Sequence, residues 1–363
     1  MERVTIPTEA VGSIPRPLYV IEALGALRLG RLSREDYAAS LARAVAETIA
    51  ELEATGSPII SDGEQSKPSF VTYPLLDLPN LAPDGVVIPF DDGHSRQLPR
   101  LREGPFRYAC YSGQYTAAAR LHSRLPLKQA VIAPSAISLL YPEQQIPGYS
   151  REQFLADLKD ECEKDIRSAF EAGAEIVQLD FTEGRLACKL DPSHALLRRF
   201  VALNNEVLER FSEAERQRIG VHTCPGGDHN TRHSADVDYA ELLPDLFRIR
   251  AGRFYIQMAS EPDRARVLDI IRRERRPDQL TFIGVIDPCD PRIESPAVVR
   301  ERTLEIAEAL QGERIGTTDD CGFAPFRDDV AMARVTAFAK IRSRVEGTAL
   351  AAGLLKGRMP LAS

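Results

Sequence analysis

Eight short apolar runs recur along nearly the whole chain, and helix-like segments separate them. The runs are Ala10 to Ile14, Pro58 to Glu64, Gln129 to Pro134, Glu175 to Asp180, Arg218 to Cys224, Phe254 to Met258, Thr281 to Asp287 and Arg314 to Asp319. Strands that alternate with helices pair in parallel, because each crossover helix returns the chain to the same edge. Eight such units predict an α/β fold, a single (β/α)8 TIM barrel spanning residues 1–363. The 363 residues fit one large barrel, and 44% hydrophobic content is ample for its core.

The helical spacing supports this. A long helical region runs from Tyr19 to about Ala54, with Gly30 and Ser33 marking a break and a new N-cap. Ser150 caps a segment that reaches Ala172, where Gly173 ends it. Val298 to Leu310 and Ala331 to Leu355 space their apolar residues by three and four. Residues 66–115 break the repeat. They are rich in Pro, Gly and Asp, and they alternate over Pro105 to Tyr111, as an inserted β-hairpin excursion that serves as a lid or a dimer contact.

Chemistry in such barrels sits at the carboxyl ends of the strands. Polar residues collect there: Ser13, Asp62 and Glu64, Ser135, Asp180, His222 and Cys224, Gln257, Asp287, then Asp319, Asp320 and Cys321. Branched apolar residues would fill a purely structural rim, so this convergence points to an enzyme. In a strand, residues i and i+2 face the same side, so His222 and Cys224 face one site. Both are zinc ligands by type, and Cys321 adds a third donor from the last strand. Zinc held there lowers the pKa of a substrate thiol and presents it as a zinc-thiolate nucleophile. The alternative is that all three are packing residues. Cys110, Cys162, Cys188 and Cys289 are read as packing cysteines, since free Cys is among the most buried residue types.

A net charge of −7 and a pI near 5.6 exclude nucleic acid and anionic membrane as partners. No run approaches a membrane span, and Met1 to Val4 lack a signal-peptide core. Scattered cysteines without a disulfide pattern fit the reducing cytoplasm. Partners are therefore small molecules, with a homodimer left open.

The ordered motifs Val11-Gly12-Ser13-Ile14-Pro15, Asp62-Gly63-Glu64, Gln178-Leu179-Asp180, His222-Thr223-Cys224 and Asp320-Cys321-Gly322 resemble the C-terminal catalytic barrel of the cobalamin-independent methionine synthase family. Single-barrel relatives, including epoxyalkane:coenzyme M transferase-like proteins, share the His-x-Cys…Cys pattern. Both groups sit among barrels of the uroporphyrinogen decarboxylase type. The resemblance implies that His222, Cys224 and Cys321 bind zinc and that Ser13 meets the carboxylate of homocysteine through its backbone. It implies that Glu64 and Asp180 hold the ammonium group, a pairing that charge-assisted hydrogen bonding favours. The alternative for these carboxylates is a salt bridge to Arg16 or Arg185. The activity implied is that of a 5-methyltetrahydropteroyltriglutamate-homocysteine methyltransferase. Thiol transfer to an epoxide or other alkyl donor, with Arg16 and Lys67 gripping a sulfonate, is the second reading. A metal-free decarboxylase is the third.

The chain departs from the family twice. A glutamate ligand is usual at the end of strand six, where this chain has Gln257, with Glu261 four residues on. The N-terminal barrel of the folate-dependent enzymes is also missing from this sequence, so a folate donor does not follow. His229 and His233, in a loop particular to this subgroup, are acid/base candidates or bystanders. Tyr141, after strand three, either lines the pocket or packs.

Overall fold

The computed structural model describes residues 5–312 and 314–358, so Met1 to Val4 lie outside the described residues. Six parallel strands pair in chain order: β3 (Lys128–Ile132), β4 (Ile176–Asp180), β5 (Ile219–Thr223), β6 (Arg253–Ile256), β7 (Leu280–Ile286) and β8 (Ile315–Asp319). Two further segments close the ring. β1 (residues 8–14) touches β8 by a parallel bridge from Thr8 to Thr317, and β2 (residues 59–63) touches β3 by one from Ile60 to Leu127. The amide of Ile14 donates to Gly63 O at 3.0 Å and joins these two to each other. The fold is the expected (β/α)8 barrel.

β1 and β2 make bridges rather than ladders for a local reason. Side chains take the carbonyls of β1: Gln178 Nε2 donates to Val11 O (3.0 Å), Ser61 Oγ to Gly12 O (2.9 Å) and Gln65 Nε2 to Ile14 O (2.8 Å). A carbonyl committed to a side chain is spared from the ladder while still satisfied. The six paired strands are buried on both faces, as parallel strands covered by helices must be.

The helices begin where their caps lie. Ser33 Oγ accepts from Asp36 N at the start of the helix Arg34–Ala54, separate from Leu18–Arg28. Ser150 and Gln153 form a full capping box before Arg151–Glu171. The helices Pro296–Ala309 and Arg334–Arg358 pack against each other and cover β7 and β8.

The excursion holds two short antiparallel pairs, Leu81–Ala82 with Arg100–Leu101 and Val87–Pro89 with Ser95–Gln97. The alternating stretch at 105–111, expected as a strand, is not one. Its amides go to side chains: Phe106 N donates to Tyr149 Oη (3.0 Å) and Tyr108 N to Glu161 Oε2 (3.0 Å). Acceptors from Tyr149 and from Glu161 of the helix Arg151–Glu171 outcompete a strand partner here. Cys162 and Cys188 are buried, Cys110 and Cys289 are partly buried, and all four are free thiols.

Candidate metal centre and substrate cavities

β5 carries the centre of the site. His222 pairs across the ladder with Asp180 of β4 and Tyr255 of β6. Cys224 follows two positions on, and its Sγ lies 3.1 Å from Cys321 Sγ, just past β8. The donor atoms of His222, Cys224 and Cys321 all lie within 4.8 Å of one another. His222 is 2% exposed, yet neither ring nitrogen has a hydrogen-bond partner. A buried polar group without a partner costs about 1–3 kcal/mol, so these nitrogens ask for a ligand. The contact with Cys224, and then burial, push the Cys321 thiol well above its ordinary range. A divalent cation would reverse that preference and deprotonate both thiols. The donor set is soft and convergent, with His222 and Cys224 buried and Cys321 partly buried, and it suits zinc.

Beside the centre is a small cavity of about 30 Å3, lined by Ser13, Glu64, Asp180, His222 and Cys321. Glu64 sits in the left-handed region at φ 55°, in a turn where its amide donates to Asp62 Oδ1 at 3.0 Å. Burial raises its pKa to about 7, against the opposing charge of Lys67, whose Nζ is 3.2 Å away. Glu64 Oε2 has no partner. Burial also raises Asp180, which accepts from Gln178 Nε2 at 2.8 Å. Neither carboxylate pairs with an arginine. Arg16 instead donates to four carbonyls, those of Glu64 (2.6 Å), Lys67 (3.1 Å), Ala324 (2.5 Å) and Phe326 (3.2 Å). Arg185 pairs with Glu261 at 2.8 Å. Lys67 is spent on Glu64 and Ala130 O (2.7 Å), so neither Arg16 nor Lys67 is free to grip a sulfonate.

Gln257 follows β6 directly. The register sets Ile256 beside Thr223, so Gln257 comes level with Cys224. Its Nε2 donates to Ser260 Oγ (2.6 Å) and Glu261 Oε1 (3.0 Å), and its buried Oε1 has no partner. The amide is thus oriented with its acceptor unused, while Glu261 is held by Arg185 and Gln257. Asp320 fixes this turn: its carboxylate accepts from the amides of Met258 (2.9 Å), Ala259 (2.8 Å) and Ser260 (2.8 Å) and from Ser260 Oγ (2.8 Å).

Tyr141 does not reach the cavity. It is 5% exposed, its hydroxyl donates to Tyr149 O (2.8 Å) and accepts from Ile146 N (3.1 Å), and its ring packs on Phe154. It staples its own loop, which absorbs the hydroxyl that a ligand contact would need. His229 is partly exposed and faces Asp228 and Asp329. His233 is buried, and burial lowers its pKa to about 4.

A second cavity of about 280 Å3 adjoins the first, with Phe70, Thr182 and Gly227 lining both. The excursion roofs it with Ile88, Phe90 and Leu98, while Glu183 and His233 line it from the barrel side. Arg96 clips the roof to the rim, through Asp228 at 2.5 Å and Asp328 at 3.0 Å, and His94 Nε2 adds a contact to Asp228 at 3.0 Å. Glu183 and Arg96 escaped sequence reading as working parts, and Asp320 was read only as one of the polar strand ends. The one available signal was a second carboxyl three positions beyond Asp180, where the strand has already ended.

The family model described as the catalytic domain of cobalamin-independent synthase matches residues 6–343. A methionine synthase of Thermococcus kodakarensis is 23% identical over 89% of this chain and 88% of its own. A Pyrococcus furiosus methionine synthase is 22% identical over 89% and 87%. Among solved structures, a B12-independent methionine synthase from Shewanella in complex with selenomethionine aligns at a TM-score of 0.77. It has 18% identity and covers 97% of this chain and 99% of that one.

Proposed function

Because the chain belongs to the family of cobalamin-independent synthase catalytic domains, we propose that it is a zinc-dependent S-methyltransferase that converts homocysteine to methionine. The observation that carries this reading is the convergence of His222, Cys224 and Cys321 beside two buried carboxylates. Zinc bound by these residues would lower the pKa of the incoming thiol and supply a nucleophile at neutral pH. Gln257 Oε1, buried and without a partner, would complete the donor set, and it brings no charge.

The remaining work falls to the chain's own residues. Glu64 and Asp180 share the small cavity, and their mutual repulsion and burial favour the arrival of a cation. An α-ammonium group between them would draw both carboxyls back toward the ionised form. The backbone at Ser13 meets the substrate carboxylate, and the chain around it is braced by Phe323 N on Ser13 O at 2.9 Å. The thiol then points along the cavity axis toward Cys321 and His222. The methyl donor occupies the larger cavity, so that its methyl group meets the thiol where Thr182 and Gly227 border both spaces. A donor of the 5-methyltetrahydropteroyl type is the one that the family resemblance implies. Among the described residues no helix is long and apolar enough to cross a membrane.

The test is direct. Purified protein given homocysteine and 5-methyltetrahydrofolate, as mono- and triglutamate, should form methionine. Turnover of another alkyl donor but of neither folate would leave thiol activation standing and remove folate. No alkylated homocysteine with any donor would overturn the proposal.

A further inference from the structure

Glu183 is a buried titratable group that the scheme above leaves unused. It follows Asp180 by three residues, opening the helix Glu183–Leu190. Asp180 lines the thiol cavity, Glu183 lines the donor cavity, and Thr182 between them lines both. The side chain is 5% exposed. One carboxyl oxygen accepts the Ser135 hydroxyl, which is also 3.0 Å from Asn204 Oδ1. The other oxygen, Oε2, is buried without any partner. A carboxyl fixed on one side and vacant on the other, at the border of two substrate spaces, is built to meet a ligand atom.

From this geometry we propose that Glu183 is the acid that protonates the leaving group of the methyl donor, an inference that rests on the methyltransferase reading above. As the sulfur–carbon bond forms, the bond from the methyl carbon to the donor's leaving atom breaks. The electron pair stays on the leaving atom, which takes the proton from Glu183 Oε2. The thiol's own proton has gone to solvent, and solvent reprotonates Glu183 after product release, so the sum is thiol plus methyl donor giving thioether plus protonated carrier. The donor is therefore one whose leaving atom, such as an amine nitrogen, is too basic to depart unprotonated.

The surroundings suit this role. Burial raises Glu183 to about 8, with Asp180 adding to it, so the acid form persists at neutral pH. Across the cavity, His233 is kept neutral by its low pKa. Arg96 is neutralised by Asp228 and Asp328. Arg28, at the end of the helix Leu18–Arg28, and Arg327 complete the charged lining. Among the described residues that line this cavity, no other side chain gives up a proton near neutral pH.

Single-turnover methyl transfer to homocysteine tests the role with two donors. 5-Methyltetrahydrofolate leaves on nitrogen and needs a proton, whereas methyl iodide leaves as iodide and needs none. Glu183→Gln should slow the folate reaction by about 100-fold or more. The loss with methyl iodide, after subtraction of the uncatalysed rate, should be at least tenfold smaller. Glu183→Asp should recover part of the folate rate. The wild-type folate rate should fall above about pH 8, and the Gln variant should lose that limb. Equal losses with both donors would overturn the inference and make Glu183 structural. A wild-type enzyme that uses methyl iodide but no amine donor would overturn it too, leaving thiol activation intact. A wild type inert to both donors would overturn the methyltransferase reading itself.

Discussion

Asp320 fills the space that a side chain on Gly284 would need. A Cβ built on Gly284 would stand 1.9 Å from Asp320 Oδ1 and 3.0 Å from Met258 N. β7 therefore gives up a side chain so that a carboxylate from the end of β8 can reach across to the turn after β6. Four donors of that turn depend on it, and Gln257 stands at its start. Gly284→Ala should cost about 1–3 kcal/mol, the usual range for overpacking, and lower the zinc content of the purified protein. Urea denaturation and metal analysis check this. An unchanged midpoint with full zinc would show that Asp320 can move without consequence.

Lys67 and Glu64 form a pair whose side chains are 0% and 3% exposed. Removing one member of a buried pair strands the other, at about 3–5 kcal/mol. Lys67→Met should therefore destabilise the fold by about that amount, although Glu64 softens the loss by taking a proton. Lys67→Met combined with Glu64→Gln should recover most of the stability but not homocysteine binding. Thermal denaturation and the homocysteine KM separate the two effects. A single Lys67→Met variant as stable as wild type would mean that the pair carries no buried charge.

Glu183 and His233 should shift stability with pH in opposite directions over overlapping windows. Glu183 holds its proton up to about pH 8 when folded, against an ordinary value of 4.5. In that window the folded state carries the extra proton, so stability declines as pH rises through it. His233 has the reverse sign: its folded pKa of about 4 lies below the ordinary 6.5. There the unfolded state binds the extra proton, so stability declines as pH falls through 6.5 toward 4. Glu183→Gln should thus gain stability relative to wild type as pH rises from about 5 to 8, by about 3–4 kcal/mol. Urea titrations across that range check it. A difference independent of pH would mean that Glu183 is ionised in the folded state.

Much of this was legible from the sequence, because the barrel writes its pattern locally. Each strand is a short apolar run with a polar residue at its end, and Ser33 and Ser150 mark helix starts by their own side chains. His222, Cys224, Cys321, Glu64 and Asp180 could be placed because strand ends in a barrel converge whatever lies between them. What could not be read depends on partners distant in the chain. The stretch at 105–111 alternates like a strand, but Tyr149 and Glu161 take its amides. Tyr141 looked like a pocket residue, but Tyr149 and Ile146 use its hydroxyl. Asp320 and Gly284 have meaning only together, and Glu183 gains its role from a cavity that the excursion roofs.

The central claim is that His222, Cys224 and Cys321 hold zinc and that homocysteine sulfur joins it. X-ray absorption at the zinc edge of the purified protein, with and without homocysteine, addresses both parts at once. The expected result is about one zinc per chain with two sulfur neighbours, from Cys224 and Cys321, and a third sulfur when homocysteine is added. Absence of zinc, or a sulfur count that homocysteine leaves unchanged, would contradict it.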